Sequence, residues 1–437
     1  MPDHCLTNDK NKNGYDLAVI GAGSAGFSAA ITAAEQGANV ALIGHGLIGG
    51  TCVNVGCVPS KTMIRAAEAL HGARAAGRFP GLAGEANVVD WSRLIEAKDD
   101  LVTTLRQKKY IDLLPEYNGV AYLEGVARLN GQGVLVGGAA IAADKIIVAT
   151  GSAPSLPDIP GIADVPYLTS TTALEQTDQP TSLMVIGGGY IGCELAQMFA
   201  RAGTKVSLVT RSRLLPEAEP EISEALTRYL AEDGIAVLTE LSYRAIETVE
   251  NGVELSIERE GRPESLTAQH ILVATGRRPN SAGLGLEEAG VRLSPNGGIV
   301  VDERMRTSKP GVYAAGDVTG RDQFVYMAAY GAKLATLNAL NGDSLAYDST
   351  AMPWVTFTDP QVAGVGLTEK GARAAGFEPK TSIVPLDQVP RALVARDTRG
   401  LIKLVADAGT DRLLGAQILA PDGADSIQTA VLAIKHD

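Results

Sequence analysis

The sequence predicts an α/β protein: two Rossmann-like three-layer domains, each suited to a dinucleotide, followed by a smaller α+β domain. Three observations carry this. An apolar strand, a glycine turn and an alanine-rich helix succeed one another near residue 20, the same succession returns near residue 187, and after about Leu345 the chain changes to alternating strands and one apolar helix. A length of 437 residues, 45% of them hydrophobic, is ample for several buried cores.

The first succession is the strand Asp16–Ile20, the turn Gly21-Ala-Gly23-Ser24-Ala-Gly26, a helix to about Gln36 and a strand Asn39–Ile43. The second is the strand Ser182–Ile186, the turn Gly187-Gly-Gly189-Tyr190-Ile-Gly192, a helix from Cys193 to about Ala202 and a strand Lys205–Val209. A lone Gly-x-Gly-x-x-Gly also serves ordinary turns. Placed between an apolar strand and a helix, it turns backbone N–H groups and the helix dipole toward a pyrophosphate. Two such copies predict two dinucleotide sites.

Two further strands, Lys145–Gly151 and His270–Gly276, both close on Ala-Thr-Gly and are expected at comparable edges of the two sheets. Prolines at 154, 157 and 160 exclude a helix or a central strand and mark an interdomain crossing, with a second near Arg277–Asn280. The expected organisation is a flexible tail 1–14, a first nucleotide domain 15–155 with 279–345, a second 156–278, and the α+β domain 346–437. The helix from Ser426 keeps its apolar period to Asp437 without a Gly or Pro stop, so the natural chain is expected to run on, leaving this domain incomplete.

The ribose ends of the two sites differ. Thr210-Arg211-Ser212-Arg213 offers arginines, which accommodate a 2'-phosphate where an acid would bind a 2'-hydroxyl, so NADPH is expected over NADH; the plain alternative is solvated loop charge. The first site has Gly44-His45-Gly46 there, with no acid. Tyr313–Val318 ends an apolar strand with Gly316 and Asp317, a carboxylate suited to a flavin's ribityl hydroxyls or, alone, to a helix cap.

A net charge of −12 opposes sequence-independent attraction to nucleic acid or anionic lipid. Neither a membrane-length apolar run nor a signal-peptide core is present, and a cytoplasmic location is expected. In that reducing compartment the four cysteines, Cys5, Cys52, Cys57 and Cys193, favour chemistry over stapling. Cys52 and Cys57 stand five apart after a glycine turn, at the start of a helix whose terminal N–H groups lower a thiolate's pKa. A closed zinc site would need four ligands; His45 lies upstream, His71 well into the helix, and no second pair is near. Cys193 reads as a buried apolar residue and Cys5 as part of the tail.

Taken in order, Gly21-x-Gly-x-x-Gly26, Gly-Gly50-Thr51-Cys52-x4-Cys57-Val-Pro-Ser-Lys61, Gly187-Gly-Gly-Tyr-Ile-Gly-Cys-Glu194 and Ala-Gly316-Asp317 resemble the flavin disulfide oxidoreductases over roughly residues 15–437. That family, the class I pyridine nucleotide-disulfide oxidoreductases, includes dihydrolipoamide dehydrogenase, glutathione reductase and mercuric reductase. Thr51–Cys57, Gln323–Ala329, Val389–Leu393 with Asp397–Gly400, and Phe357–Gln361 are most similar to its mercuric reductase branch, here without the small N-terminal metal-binding domain some members carry.

The resemblance implies FAD in the first site, held by Gly21, Gly23, Ser24, Gly26, Gly50, Thr51, Lys61, Thr150, Gly151, Gly316 and Asp317. It implies NADPH in the second, on Gly187, Gly189, Tyr190, Gly192, Arg211 and Arg213, and a homodimer through 346–437. Cys57 would be the flavin-facing thiolate and Cys52 the sulfur a substrate reaches, the pair cycling between disulfide and dithiol and binding Hg(II), delivered as thiol complexes, for reduction to Hg(0). Lys61 and Glu194 would pair beside the flavin, Tyr190 would cover it until nicotinamide arrives, and Tyr110 would reach the active site. The branch's vicinal cysteine pair, which passes metal to the partner subunit, is not found before Asp437. The alternatives are a dihydrolipoamide dehydrogenase or related disulfide reductase and, more distantly, a thiol metal-binding flavoprotein without turnover.

Overall fold

The computed structural model describes residues 14–130 and 133–436. The expected tail 1–14, apart from Gly14, and with it Cys5, lies outside the described residues. The chain forms two compact units, one of residues up to 59 with 97–153 and 277–348, the other of 60–96, 154–276 and 349–437.

In the first unit, β1 (Tyr15–Ile20), β2 (Val40–Gly44) and β3 (Val120–Glu124) join the strands Ala143–Val148 and Val312–Ala314 in one parallel sheet, ordered Val312–Ala314, Ala143–Val148, β1, β2, β3. Leu17, Ala18 and Val19 are fully buried, as a parallel strand covered on both faces requires. On one face lie α1 (Ser24–Glu35) and the helix Val325–Asn341. Their contact is built from alanines, Ala25, Ala29 and Ala33 against Ala328, Ala332 and Ala335, whose small side chains allow close approach. Ile20 is level with both Ile43 and Val148, so three strand ends meet at one edge, where α/β sheets bind ligands.

The second unit repeats the plan: Ser182–Ile186 lies between Lys205–Val209 and His270–Val273, and Ile186 is level with Val209 and Val273. The helix α5 of this repeat is residues Tyr190–Ala202, and an antiparallel meander, Leu241–Ala268, buries Val253, Leu255 and Ile257 against Met184 and Ile186. The same unit holds an antiparallel five-stranded sheet spanning Trp354–Ala420, backed by the helix Gly423–His436 through Ile427, Ala430 and Ile434. Among the described residues no helix is long and apolar enough to cross a membrane.

Three helix starts differ from the sequence expectation. The helix α5 begins at Tyr190 rather than Cys193, because the second half of the glycine turn already winds helically, so Glu194 is its fifth residue and does not open it. The last helix begins at Gly423, three residues ahead of Ser426. Cys52 and Cys57 do not share one helix start: Cys52 lies within the short helix α2 (Gly50–Asn54), and Cys57 opens α3 (Cys57–Arg74), which is followed by α4 (Trp91–Arg106).

Candidate active site

The first glycine turn and the cysteine segment are locked backbone to backbone. Gly50 has φ +69°, and a Cβ added to it would stand 2.6 Å from the Cα of Gly23, so Gly50 cannot carry a side chain without separating the two segments. Gly26 is equally confined, since its Cβ would fall 1.7 Å from the Gly21 carbonyl oxygen. The turn thus places Ser24 at the start of α1 and carries Thr51 and Cys52 beside it on α2. Asn54 braces the segment, its amide donating to the carbonyls of Ile48 and Gly50 at 2.9 Å while its oxygen accepts from Arg106 at 3.1 Å.

Cys57 is the first residue of α3 and exposed, whereas Cys52 is partly buried. Tyr110 sits in a π-helical turn, Gln107–Ile111, edge-on to Phe27 with ring centroids 4.7 Å apart and its hydroxyl 3.4 Å from that of Ser24. Burial pushes the Tyr110 phenol up, the Ser24 bond opposes this, and negative charge on Cys52 and Cys57 raises it further. Tyr110 is therefore a protonated hydroxyl within electrostatic reach of both sulfurs.

Arg277 is a functional candidate that sequence reasoning missed. Its Nε donates to Ser152 Oγ and a terminal nitrogen to the Ser152 carbonyl, both at 2.7 Å, while Ser152 Oγ donates to Asp317 at 2.7 Å. Burial lowers its pKa, while the charge of Asp317 and negative charge on Cys57 oppose this, so its guanidinium is within electrostatic reach of that sulfur. A signal was present: Ser152 and Arg277 are each the residue that follows the repeated Ala-Thr-Gly. Nearby, Thr150 donates to the Asn280 carbonyl at 2.7 Å, and the Asn280 backbone N–H donates to the Gly151 carbonyl at 2.9 Å. Gly316, at φ +77°, leaves 3.2 Å between an added Cβ and those of Ala25 and Ala328, which sets Asp317 at the end of its strand.

In the second unit, Lys61, one turn beyond Cys57 on α3, bonds Glu194 at 2.7 Å, and the other oxygen of that carboxylate accepts from the Phe357 backbone N–H at 2.8 Å. Glu194 is 5% exposed, and Lys61 also lies 5.0 Å from the Phe357 ring centroid. Tyr190 opens α5 edge-on to Trp354 at 5.7 Å, its phenol pushed up to about 12 by burial and then by Glu217. Gly187 and Gly192 repeat the crowding of the first turn, an added Cβ at Gly192 falling 1.9 Å from the Gly187 oxygen. Arg211 is exposed just past the strand end, but Arg213 is turned inward, one terminal nitrogen donating to the carbonyls of Pro216 at 2.8 Å and Ala218 at 2.6 Å. Cys193 is fully buried, its thiol raised by burial and Glu194 and directed at the Gly188 carbonyl, which suits neither a nucleophile nor a ligand.

The second turn fits a dinucleotide: at Gly189 an added Cβ would meet nothing within 4 Å, leaving open space at the N-terminus of α5. In the first unit the open position is Gly151, past the strand end at the sheet edge, while Gly23 faces Gly50 at 3.4 Å. Helix N-termini facing such space are anion sites.

Residues 15–333 match the pyridine nucleotide-disulphide oxidoreductase family and 352–437 its dimerisation domain. The chain is similar to the mercuric reductase of Streptomyces lividans, 47% identical over 96% of this chain and 90% of that one. It is similar also to that of Staphylococcus aureus, 46% identical over 98% and 78% respectively. Among solved structures, the Cu(II) complex of the HOCl-induced flavoprotein disulfide reductase RclA from Escherichia coli superposes with a TM-score of 0.84 at 31% identity, covering 97% of this chain and 93% of that one.

Proposed function

The chain belongs to the pyridine nucleotide-disulphide oxidoreductase family, and from that premise we propose that it is an NADPH-dependent flavoprotein that reduces Hg(II) to Hg(0). The observation that carries the proposal is a cysteine pair set on two successive helix starts, locked against a nucleotide turn and flanked by Tyr110 and Arg277, in a chain close to mercuric reductases along nearly its whole length.

NADPH and Hg(II) give NADP+, a proton and Hg(0), a two-electron exchange. FAD, when bound, would supply the two-electron relay between NADPH and the metal. What remains belongs to the chain. The FAD site is assigned to the first unit, with Gly21, Gly23, Ser24, Gly26, Gly50, Thr51, Thr150, Gly151, Gly316 and Asp317 toward the cofactor, and the NADPH site to the 154–276 part of the second, with Gly187, Gly189, Tyr190, Gly192 and Arg211; residues 60–96, expected within the FAD domain, belong to the second unit. Arg213 acts there by shaping the loop that presents Arg211.

Cys57 opens α3, where the helix dipole and the Arg277 cation favour negative charge on its sulfur. Cys52 and Cys57 take Hg(II) from its thiol complexes, soft sulfur outcompeting oxygen ligands for a soft cation. Tyr110, held neutral, sets a hydroxyl dipole within electrostatic reach of both sulfurs. The Lys61–Glu194 pair fixes a positive charge one turn from Cys57. The matched dimerisation domain supports a homodimer, with 346–437 as its interface.

The test is anaerobic. NADPH is added to the purified protein, the charge-transfer absorbance of the Cys57 thiolate is followed, and NADPH oxidation on Hg(II) in excess thiol is compared with that on lipoamide and glutathione disulfide. Mercury vapour without lipoamide turnover is expected. Lipoamide turnover without mercury vapour would instead make the chain a dithiol enzyme, and neither would leave a flavoprotein that only holds metal.

A further inference from the structure

The end of β2 is where a dinucleotide fold presents a carboxylate to the adenine-side ribose, and this chain has Gly44 there. The place is not vacant. An added Cβ at Gly44 would stand 2.7 Å from the Cβ of Ala22 and 3.1 Å from the hydroxyl of Tyr122, so a phenol from the next strand occupies the room a side chain would need.

Strand register explains how it arrives. β3 pairs with β2 so that Tyr122 is level with Leu42 and Glu124 with Gly44. Residues two apart on a strand share a face, so Tyr122 and Glu124 stand on the same side, and Tyr122 packs with Leu42 and Phe27 on the side that α1 covers. That is the side on which the α1 N-terminus receives a pyrophosphate. Tyr122 is half-buried, yet its hydroxyl has no hydrogen-bond partner among the described residues. Burial, then the Glu124 carboxylate, raises its pKa, which keeps it a neutral donor and acceptor. Glu124 is exposed at the sheet edge directly opposite Gly44.

We propose that the Tyr122 hydroxyl and the Glu124 carboxylate together replace the missing acid of β2 as the contact for the adenine-side ribose hydroxyls of FAD. The inference rests on FAD occupying the first site. A phenol and a carboxylate one strand further out supply the acceptor a diol needs, and Gly44 is the residue that makes room for them.

The experiment uses the full chain stripped of flavin and titrated with FAD and with an FAD analogue lacking the 2'- and 3'-hydroxyls of the adenosine ribose, with flavin fluorescence as the readout. Tyr122→Phe and Glu124→Gln are each expected to weaken FAD about fivefold, the size of one net hydrogen bond, while leaving the analogue unchanged. A variant that weakens both ligands alike, or neither, overturns the assignment while leaving FAD binding intact. An unaltered chain that takes up no FAD overturns the parent proposal as well. Circular dichroism of each variant guards against general unfolding, which would move both titrations together.

Discussion

Gly50→Ala tests whether the cysteine segment is positioned by its contact with the first nucleotide turn. Two effects add. A non-glycine residue in the left-handed region costs about 1–2 kcal/mol, and Gly50 lies at φ +69°. In addition, the new Cβ would stand 2.6 Å from the Gly23 Cα, about 0.8 Å inside the 3.4 Å at which ordinary contact begins, and both partners are backbone, so no side chain can turn away. The α2 segment with Cys52 must shift by most of that distance. Displacements near 1 Å at a reacting group cost on the order of a hundredfold in rate.

Gly37→Ala is the control, because Gly37 has φ +83° but nothing within 4 Å of an added Cβ. The assay is NADPH-dependent Hg(II) reduction per bound flavin, together with urea unfolding. Gly37→Ala is expected to lose about 1–2 kcal/mol of stability and Gly50→Ala more than that, and Gly50→Ala alone roughly a hundredfold in kcat/KM. Activity of Gly50→Ala within threefold of Gly37→Ala would refute the positioning argument.

Lys61→Met leaves the Glu194 carboxylate, 5% exposed, with only the Phe357 N–H among the described residues; a broken buried pair costs about 3–5 kcal/mol, reduced here to about 1–2 because Lys61 is 33% exposed, and adding Glu194→Gln is expected to recover most of it in a double-mutant unfolding cycle. Arg211→Ala is expected to raise the NADPH KM about tenfold and leave NADH nearly unchanged, as loss of one charged hydrogen bond to a 2'-phosphate would. Arg213→Ala, which removes two loop carbonyl contacts, is expected to lower the melting temperature too. Tyr190 is pushed up to about 12 whereas an unfolded tyrosine titrates near 10, so the folded chain keeps a proton the unfolded chain has released. Stability therefore falls as pH rises from about 10 toward 12, and Tyr190→Phe is expected to flatten that fall in urea midpoints measured across the range.

The glycine turns were legible because their requirement is local. A strand that must turn sharply into a helix at Gly21 or Gly187 leaves no room for a Cβ, whatever surrounds it. The Cys52 and Cys57 pair and the turn-to-turn spacing of Lys61 were legible for the same reason, since helix geometry spaces them. Helix starts were misjudged where the turn itself is helical, as at Tyr190, because glycine reads as a breaker while an N-terminal turn tolerates it.

What the sequence by itself determined is the set of local geometries: two strand–turn–helix nucleotide sites, a cysteine pair after a glycine turn, and an arginine-bearing loop after the second site. Only the tertiary structure decided which distant residues complete them. Ser152 meets Arg277 across 125 positions, Glu194 meets the Phe357 backbone across 163, and Tyr122 fills the room at Gly44 through strand register. The physical reason is that sheet pairing and core packing join side chains with no fixed relation along the chain, whereas backbone sterics act between neighbours and can be read wherever they occur.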